Sequence, residues 1–525
     1  MDAFLTARLD SLTPPDQWPQ MPEAAQLLAS ELLAGKKLAV WGDYDVDGVT
    51  AATLVLDVLE SHGIIAQWHI PDRRSEGYGL NVQHIEELAA EGCGILLTVD
   101  CGISDVEAVR RARELGMTVV VSDHHLPPAE LPPANAICNP KVCAAEDLPY
   151  PHLAGVGVAF YLMGAVNAAL APHTGKRHNM GDSLDLVALG TLADVMPLTG
   201  ENRVLVRGGL VRIARALRPG MAALKVASGM SATAALSAGQ AVFRLAPRIN
   251  AAGRLGNAIS ALQLLTASKI VDAYHYADML EGFNQKRQTK EQEIFNEAKH
   301  YVESAPNFSS SYSIIAAGDG WHQGVIGIVA SRFARDYNRP AIVLTIQGDE
   351  AHGSGRSIGG LNLIKVLSKC SHLQTRYGGH PMAVGLGLRK EDIPEFSRVF
   401  EETVRSEITP EDLIDSVSYD GTVNLSDLGP DFFSYYDKLG PFGHGNPQPC
   451  YRLNRVEVIR TFPIKAGHTK GILRDSGGDT TDFIAFNMLL DPHTTWDVVA
   501  VPQINEYYGE RRRQLQLVDA RPCSD

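Results

Sequence analysis

The sequence predicts an α/β protein: a parallel sheet covered by helices, a long connecting helix, a smaller second α/β region and a short-stranded carboxyl-terminal barrel or sandwich. Three observations predict it. From residue 36, short and nearly continuous apolar strands alternate with amphipathic helical stretches, the pattern of strands buried on both faces. Residues 267–304 contain no proline and a single glycine, Gly282, so they read as one helix. After about residue 409 the alternation gives way to short strands with Gly, Asn and Pro turns, as in small all-β domains. At 525 residues the chain is too long for one core. The expected regions are 1–265, 266–305, 306–408 and 409–525.

Taken in order, "KLAVW" is a strand, "GVTAATLVLDVLESHG" a helix, "IIAQWHI" a strand and "NVQHIEELAAEG" a helix. "GILLTVD" and "MTVVVSD" are strands separated by the helix "SDVEAVRRARELG". Functional groups in such sheets collect beyond the carboxyl ends of the strands. A more helical stretch follows, roughly 153–235. The helix over 267–304 could reach about 50 Å at ~1.5 Å per residue. A second α/β segment starts at "YSIIAAGDGW" and runs to about residue 405.

Hydrophobic residues make up 45% of the chain and charged residues 21%, an ordinary globular balance. The net charge of −14 argues against whole-surface attraction to nucleic acid or anionic membrane, although a local basic groove remains compatible with it. The first residues lack the pattern of a signal peptide. No apolar stretch reads as long enough to cross a bilayer, so no membrane partner is expected. The seven cysteines are scattered without a Cys-x-x-Cys pair, and Cys138 and Cys143 lack companions for a zinc site. A reduced, cytoplasmic protein is expected.

"WGDYDVDG" places Asp43, Asp45 and Asp47 at alternate positions after an apolar strand. A calcium loop of the helix-loop-helix type needs a glutamate at its twelfth position, where this chain has Leu54, and an entering helix. That reading fails. Asp100 closes "ILLTVD", and Asp123, His124 and His125 close "MTVVVSDHH". Three successive units therefore aim carboxylate or imidazole at one sheet edge. A lone Asp at a strand end is usually a helix cap, but three such sites together point to a metal. Oxygen and nitrogen donors without thiolate suit Mn2+ or Mg2+. Two cations sharing a carboxylate could activate water and hold the oxygens of an in-line phosphoryl displacement.

"GDYDVDG", "TVDCGIS", "SDHH" and "LGTLADVMPL" resemble the four ordered signatures of the DHH phosphoesterase superfamily. Within it, the chain resembles the RecJ-type family of single-strand-specific 5′-to-3′ DNA exonucleases. "IPDRRSEGYGL", "APRINAAGRLGNA", "DGWHQGVIGIVASR", "GSGRSIGGLNL", "YGGHPMAVG" and "GPFGHGNPQP" carry the likeness along nearly the whole chain. The resemblance implies a DHH domain joined by the long helix to a DHHA1 domain, followed by an OB-fold. It implies Asp45, Asp47, Asp100, His124 and Asp194 as ligands of two Mn2+ or Mg2+ ions, with Asp100 as their bridge. His125 would stand beside the attacking or leaving oxygen, Asp43 would support the cluster or ligate directly, and His380 would face the metals across a cleft. Several relatives have histidine where this chain has Trp41, so the first metal would be held by fewer protein groups or would use Asp43.

The resemblance further implies a 5′-phosphate site at Ser354, Gly355, Arg356 and Ser357. Glycines there let backbone N–H groups approach an anion, and arginine pairs with phosphate oxygens; a tight hairpin would look the same. Arg73, Arg248 and Arg254 would extend the phosphate lane, or serve as structural ion pairs. Trp321 and His322 sit where a helix start favours an anion. In the carboxyl-terminal region Lys465, Lys470, Arg474, Phe483, Phe486 and the run Arg511–Arg513 are candidate strand contacts, though aromatics there are more often core than stacking platforms. Single-stranded DNA is the implied substrate, with roles in repair and recombination. A single-strand-binding protein and a RecQ-type helicase are implied partners, and a monomer is expected. The alternatives are a DHH phosphodiesterase or pyrophosphatase acting on short oligonucleotides or small phosphates, and an inactive scaffold, which the retained acidic residues disfavour.

Overall fold

The computed structural model describes residues 2–73, 75–142, 150–464, 467–507 and 510–523. Cys143 and Lys465 lie outside the described residues, as does the side chain of Arg511. Two compact units emerge: Met1–Ala246 with Leu262–Tyr274 and Val417–Asp525, and Pro247–Ala261 with His275–Ser416.

The first unit holds a parallel sheet of β1 (Lys37–Gly42), β2 (Gln67–His69), β3 (Cys93–Val99), β4 (Thr118–Ser122) and β5 (Ala136–Cys138), in the order β2-β1-β3-β4-β5. Residues at alternate positions, Ala39, Trp41, Leu96, Val119 and Val121, form one buried cluster with Ile85, Val109 and Ala112 of the helices Val82–Ala90 and Val106–Glu114. Their neighbours Leu38, Val40, Leu97, Val99 and Val120 are equally buried, so both faces are covered, as near-continuous apolar strands require. The chain leaves β1 toward β2 on one side and returns to β3 on the other. That reversal opens a crevice at the carboxyl ends of β1 and β3.

Two expectations change here. "IIAQWHI" yields only the three-residue β2, and Ile65 is 95% exposed, because this edge strand pairs with β1 alone. The helix Gly155–Thr174 does reach the length and apolarity of a membrane span, contrary to the sequence reading. Most of it is buried against the helices Met21–Leu33 and Val46–Ser61, which is the reason for its apolar surface.

In the second unit β6 (Ile314–Asp319), β7 (Ala341–Gln347), β8 (Glu350–Arg356), β9 (Arg376–His380) and β10 (Ala383–Arg389) form a sheet ordered β6-β7-β8-β10-β9. Only the β6–β7 pair is parallel. The helix Ile270–Glu303 runs unbroken through Gly282 for 34 residues, about 50 Å at ~1.5 Å per residue.

The carboxyl-terminal region contributes β11 (Gly421–Thr422), β12 (Tyr451–Pro463), β13 (Thr469–Arg474), β14 (Thr480–Ala485), β15 (Thr495–Tyr507) and β16 (Glu510–Pro522). The order is β12-β13-β14-β16-β15, and β15 pairs back onto β12. This closes a five-stranded barrel of the OB type around Leu453, Val456, Leu473, Phe483, Val498 and Leu515.

Candidate metal centre

β1 runs out at Gly42, and the next residues turn sharply into the helix Val46–Ser61. Asp45 is its N-cap: Oδ1 accepts the backbone N–H groups of Asp47 and Gly48 at 2.9 and 3.1 Å. The helix-cap reading is thus true of Asp45, and it leaves the other carboxylate oxygen uncommitted to the cap. Asp47, in the first turn of that helix, reaches the start of the helix Gly155–Thr174, accepting from Gly155 N at 2.7 Å and Val156 N at 2.9 Å. A helix amino terminus is a favourable place for a carboxylate.

Asp100 follows β3 with φ 61°, a left-handed backbone that non-glycine residues rarely adopt and that functional sites tend to hold. Its side chain lies so close to Gly155 that a Cβ there would stand 2.5 Å from Asp100 Oδ1. His124, after β4, points Nε2 to 3.2 Å from Asp100 Oδ1, 3.5 Å from Asp194 Oδ2 and 3.8 Å from Asp47 Oδ2. Asp194 ends the helix Leu184–Ala193. Elements far apart in sequence therefore meet at the strand-order reversal.

Three overlapping sets each bring their ligand atoms within 4.8 Å of one another: Asp43, Asp45 and Asp100; Asp47, His124 and Asp194; and Asp100, His124 and His125. Asp100 belongs to two of them. Burial drives the carboxyls of Asp43, Asp47 and Asp100 well above the usual carboxylate range, and neighbouring carboxylates push in the same direction. Asp194 is pushed up to about 7 by burial and by Asp45. Burial, reinforced by His125, brings the His124 imidazole down to about 3, so it is neutral and able to ligate. No lysine or arginine forms an ion pair with these five aspartates among the described residues. Asp43 Oδ1 and Asp100 Oδ1 are buried without a hydrogen-bond donor. Buried acids without donors fit divalent cations, and carboxylate oxygen with imidazole nitrogen suits Mn2+ or Mg2+. Trp41 is buried in the apolar cluster and stacks on His69, with ring centroids 4.1 Å apart.

Asp123 has a role that its place in the sequence alone does not reveal. Its Oδ1 accepts from His124 N, His125 N and His125 Nδ1, while Oδ2 accepts from Ile103 N. Burial alone would raise this acid, but the His125 contacts outweigh it and hold Asp123 below its ordinary value. Burial lowers His125, yet Asp123, then Asp194 and Asp43, more than reverse that and raise it. Tyr78, in "SEGYGL", places its hydroxyl 3.2 Å from His125 Nδ1. Its signal was its place in a quoted motif, but only the fold brings it to the histidine.

The other anticipated residues are scattered more widely. Arg73 is exposed, 5.4 Å from the centroid of the Tyr44 ring. Arg248 pairs with Glu281 at 2.6 Å, and Arg254 donates to Gly324 O at 3.0 Å. His352–Arg356 belong to β8 rather than to a loop. Glycine there answers to packing: a Cβ on Gly353 would strike Leu344 and Leu386, and one on Gly355 would strike Ile342 and Val384. Arg356 donates to Gly355 O at 2.7 Å, and buried Ser357 donates from Oγ to Leu361 O at 2.7 Å. His380 ends β9, an exposed edge strand. His322 caps the helix Gln323–Tyr337 through Gly324 N, and Trp321 is buried and donates to Glu297. In the barrel Phe483 is core, Phe486 is 46% exposed and Arg474 pairs with Glu457.

Family models match along the chain: the DHH family N-terminal domain over residues 37–191, the DHHA1 domain over 310–406 and the RecJ OB domain over 419–519. The single-stranded-DNA-specific exonuclease RecJ of Haemophilus influenzae is 36% identical over 98% of this chain and 92% of its own length. The Bacillus subtilis protein of the same name is 34% identical over 98% of this chain, which spans 65% of that relative. Among solved structures, RecJ of Thermus thermophilus in complex with Mn2+ superposes with a TM-score of 0.81 at 31% identity, covering 97% of this chain and 72% of that one. The same Thermus protein is also solved in complex with Mg2+.

Proposed function

Because the chain belongs to the RecJ family, we propose that it removes nucleotides from the 5′ end of single-stranded DNA by divalent-metal-assisted phosphodiester hydrolysis. The observation that carries the chemistry is the set of buried acids at the β1/β3 crevice, overlapping at Asp100. When bound, Mn2+ or Mg2+ supplies positive charge that polarises a phosphate oxygen and makes water acidic enough to attack phosphorus.

The chain's own residues do the rest. Asp47, His124 and Asp194 would hold one cation and Asp43 and Asp45 the other, with Asp100 within reach of both sets. Asp123 keeps the His125 Nδ1 occupied, so that Nε2 is the atom that exchanges a proton with the attacking or leaving oxygen. Arg73, Ser354 and Arg356 bind phosphates, while Gly355 and Ser357 shape the strand end that presents them. Arg248 and Arg254, tied to Glu281 and Gly324, border the lane, and His380 completes the substrate side. The regions 1–265, 266–305, 306–408 and 409–525 are the proposed domains. Strand binding weakens with salt through counterion release. A role in repair and recombination in the cytoplasm, beside a single-strand-binding protein and a RecQ-type helicase, rests on the family likeness.

The test compares 5′- and 3′-labelled single strands, duplex and a dinucleotide across a metal series. Mononucleotides should leave the 5′ end of single strands and only with Mn2+ or Mg2+. Asp100→Ala should cut turnover by ~10³-fold, the equivalent of about 4 kcal/mol of lost charge stabilisation, while largely sparing strand binding. Equal cutting of duplex, activity in chelator, or near-normal turnover by the variant would overturn the reading.

A further inference from the structure

A second group of metal-type ligands shares no residue with the acidic cluster. His69 ends the edge strand β2, Glu76 lies in the turn that follows, and His84 sits in the first turn of the helix Val82–Ala90. Their ligand atoms lie within 4.8 Å of one another. His69 Nε2 is 2.8 Å and His84 Nδ1 3.5 Å from the same oxygen, Glu76 Oε2. Donors around a tetrahedral zinc, each about 2.0–2.1 Å from the ion, lie roughly 3.3 Å apart, so the two distances bracket what a shared ion needs. His84 Nδ1 is buried without a hydrogen-bond partner, which a bound cation would resolve.

The surroundings hold the three groups in place. Glu76 Oε1 accepts from Asp72 N at 2.9 Å, which fixes the carboxylate. The His69 ring lies against Trp41 on one side, with centroids 4.1 Å apart, and His84 on the other, at 4.7 Å. His84 Nε2 faces Glu87 at 3.9 Å, the kind of outer carboxylate that orients a ligating imidazole.

We propose that His69, Glu76 and His84 form a separate site for a borderline transition metal, Zn2+ above all, that staples β2, the Arg73-bearing turn and the following helix together. Two imidazoles and one carboxylate are a zinc donor set, and nitrogen donors disfavour Mg2+. The site does not depend on the nuclease reading. It would reinforce the link that Glu76 already makes through its backbone N–H, which donates to Asp72 O at 2.8 Å.

The test measures protein-bound zinc by elemental analysis after gel filtration, in millimolar Mg2+, together with the zinc-induced rise in melting temperature. Asp47→Asn/Asp100→Asn, which cripples the acidic cluster, should retain one equivalent and the full rise. His69→Gln/His84→Gln should lose one equivalent relative to the unaltered chain and lose the rise. Glu76→Gln covers the case in which the double variant misfolds: its zinc affinity should fall at least about tenfold with the circular dichroism unchanged. Zinc absent from the Asp47/Asp100 variant, or unchanged binding by the histidine and Glu76 variants, would overturn the proposal.

Discussion

His125 Nδ1 stands 2.8 Å from Asp123 Oδ1, and the same oxygen also takes the backbone N–H groups of His124 and His125 at 2.7 and 3.0 Å. One carboxylate thereby sets the tautomer of a histidine and the course of the chain that carries it. Asp123→Asn keeps the shape but replaces the charge with a neutral amide. Turnover should fall ~10- to 100-fold, and the His125 pKa should drop because its principal raising partner is gone. Histidine NMR titration alongside the kcat–pH profile checks both. An unchanged titration would remove Asp123 from this role.

Gly155 lies where the Asp100 carboxylate must pass, and its N–H holds Asp47. Gly155→Ala should displace Asp100 and weaken Mn2+ binding by about tenfold or more. Calorimetric titration reads the affinity, and circular dichroism should show the fold intact.

Without cations the acidic cluster makes stability fall as pH rises. Asp194 has its pKa raised from 3.8 to about 7, so between those values the folded chain holds a proton that the unfolded chain has released. Unfolding free energy then decreases with pH across that window and levels off above it. The melting temperature of chelated protein should decline from about pH 4 to 7, and less steeply in Asp194→Asn. Since the metal must displace the same protons, Mn2+ should stabilise the protein more at pH 8 than at pH 5. Equal slopes in the two proteins would contradict the assignment.

Arg356 projects from a central strand of the second sheet, anchored to Gly355 O. Arg356→Ala should reduce the preference for a 5′-phosphorylated end by about tenfold, or ~1.4 kcal/mol for a charge-assisted pair. Competition between phosphorylated and hydroxyl-ended strands measures it. An undiminished preference would place the phosphate site elsewhere.

Strand periods determine which residues are buried, so alternating apolar runs mark the parallel sheet, while the lack of proline over 267–304 marks the helix Ile270–Glu303; the carboxyl-terminal strands expected to be short include β12, β15 and β16 of 13 residues each, lengths that barrel closure demands and turn residues do not reveal. The same logic located Asp43, Asp100 and His124 at strand ends. It could not separate a strand from a loop where glycine has two uses: Gly353 and Gly355 lie in β8 because neighbouring side chains leave no room for a Cβ. Nor could it tell core from surface at Phe483, or see that Arg248 faces Glu281.

The sequence by itself determined the fold class and the chemistry available to it, because burial and donor type are properties of short stretches. The family likeness groups Asp47, Asp100, His124 and Asp194 as ligands, but the tertiary structure supplies the distances at which they meet, and it alone gathers His69, Glu76 and His84 into a second cluster. Convergence depends on the order in which strands pair and on distances across the fold, which spacing along a chain does not encode.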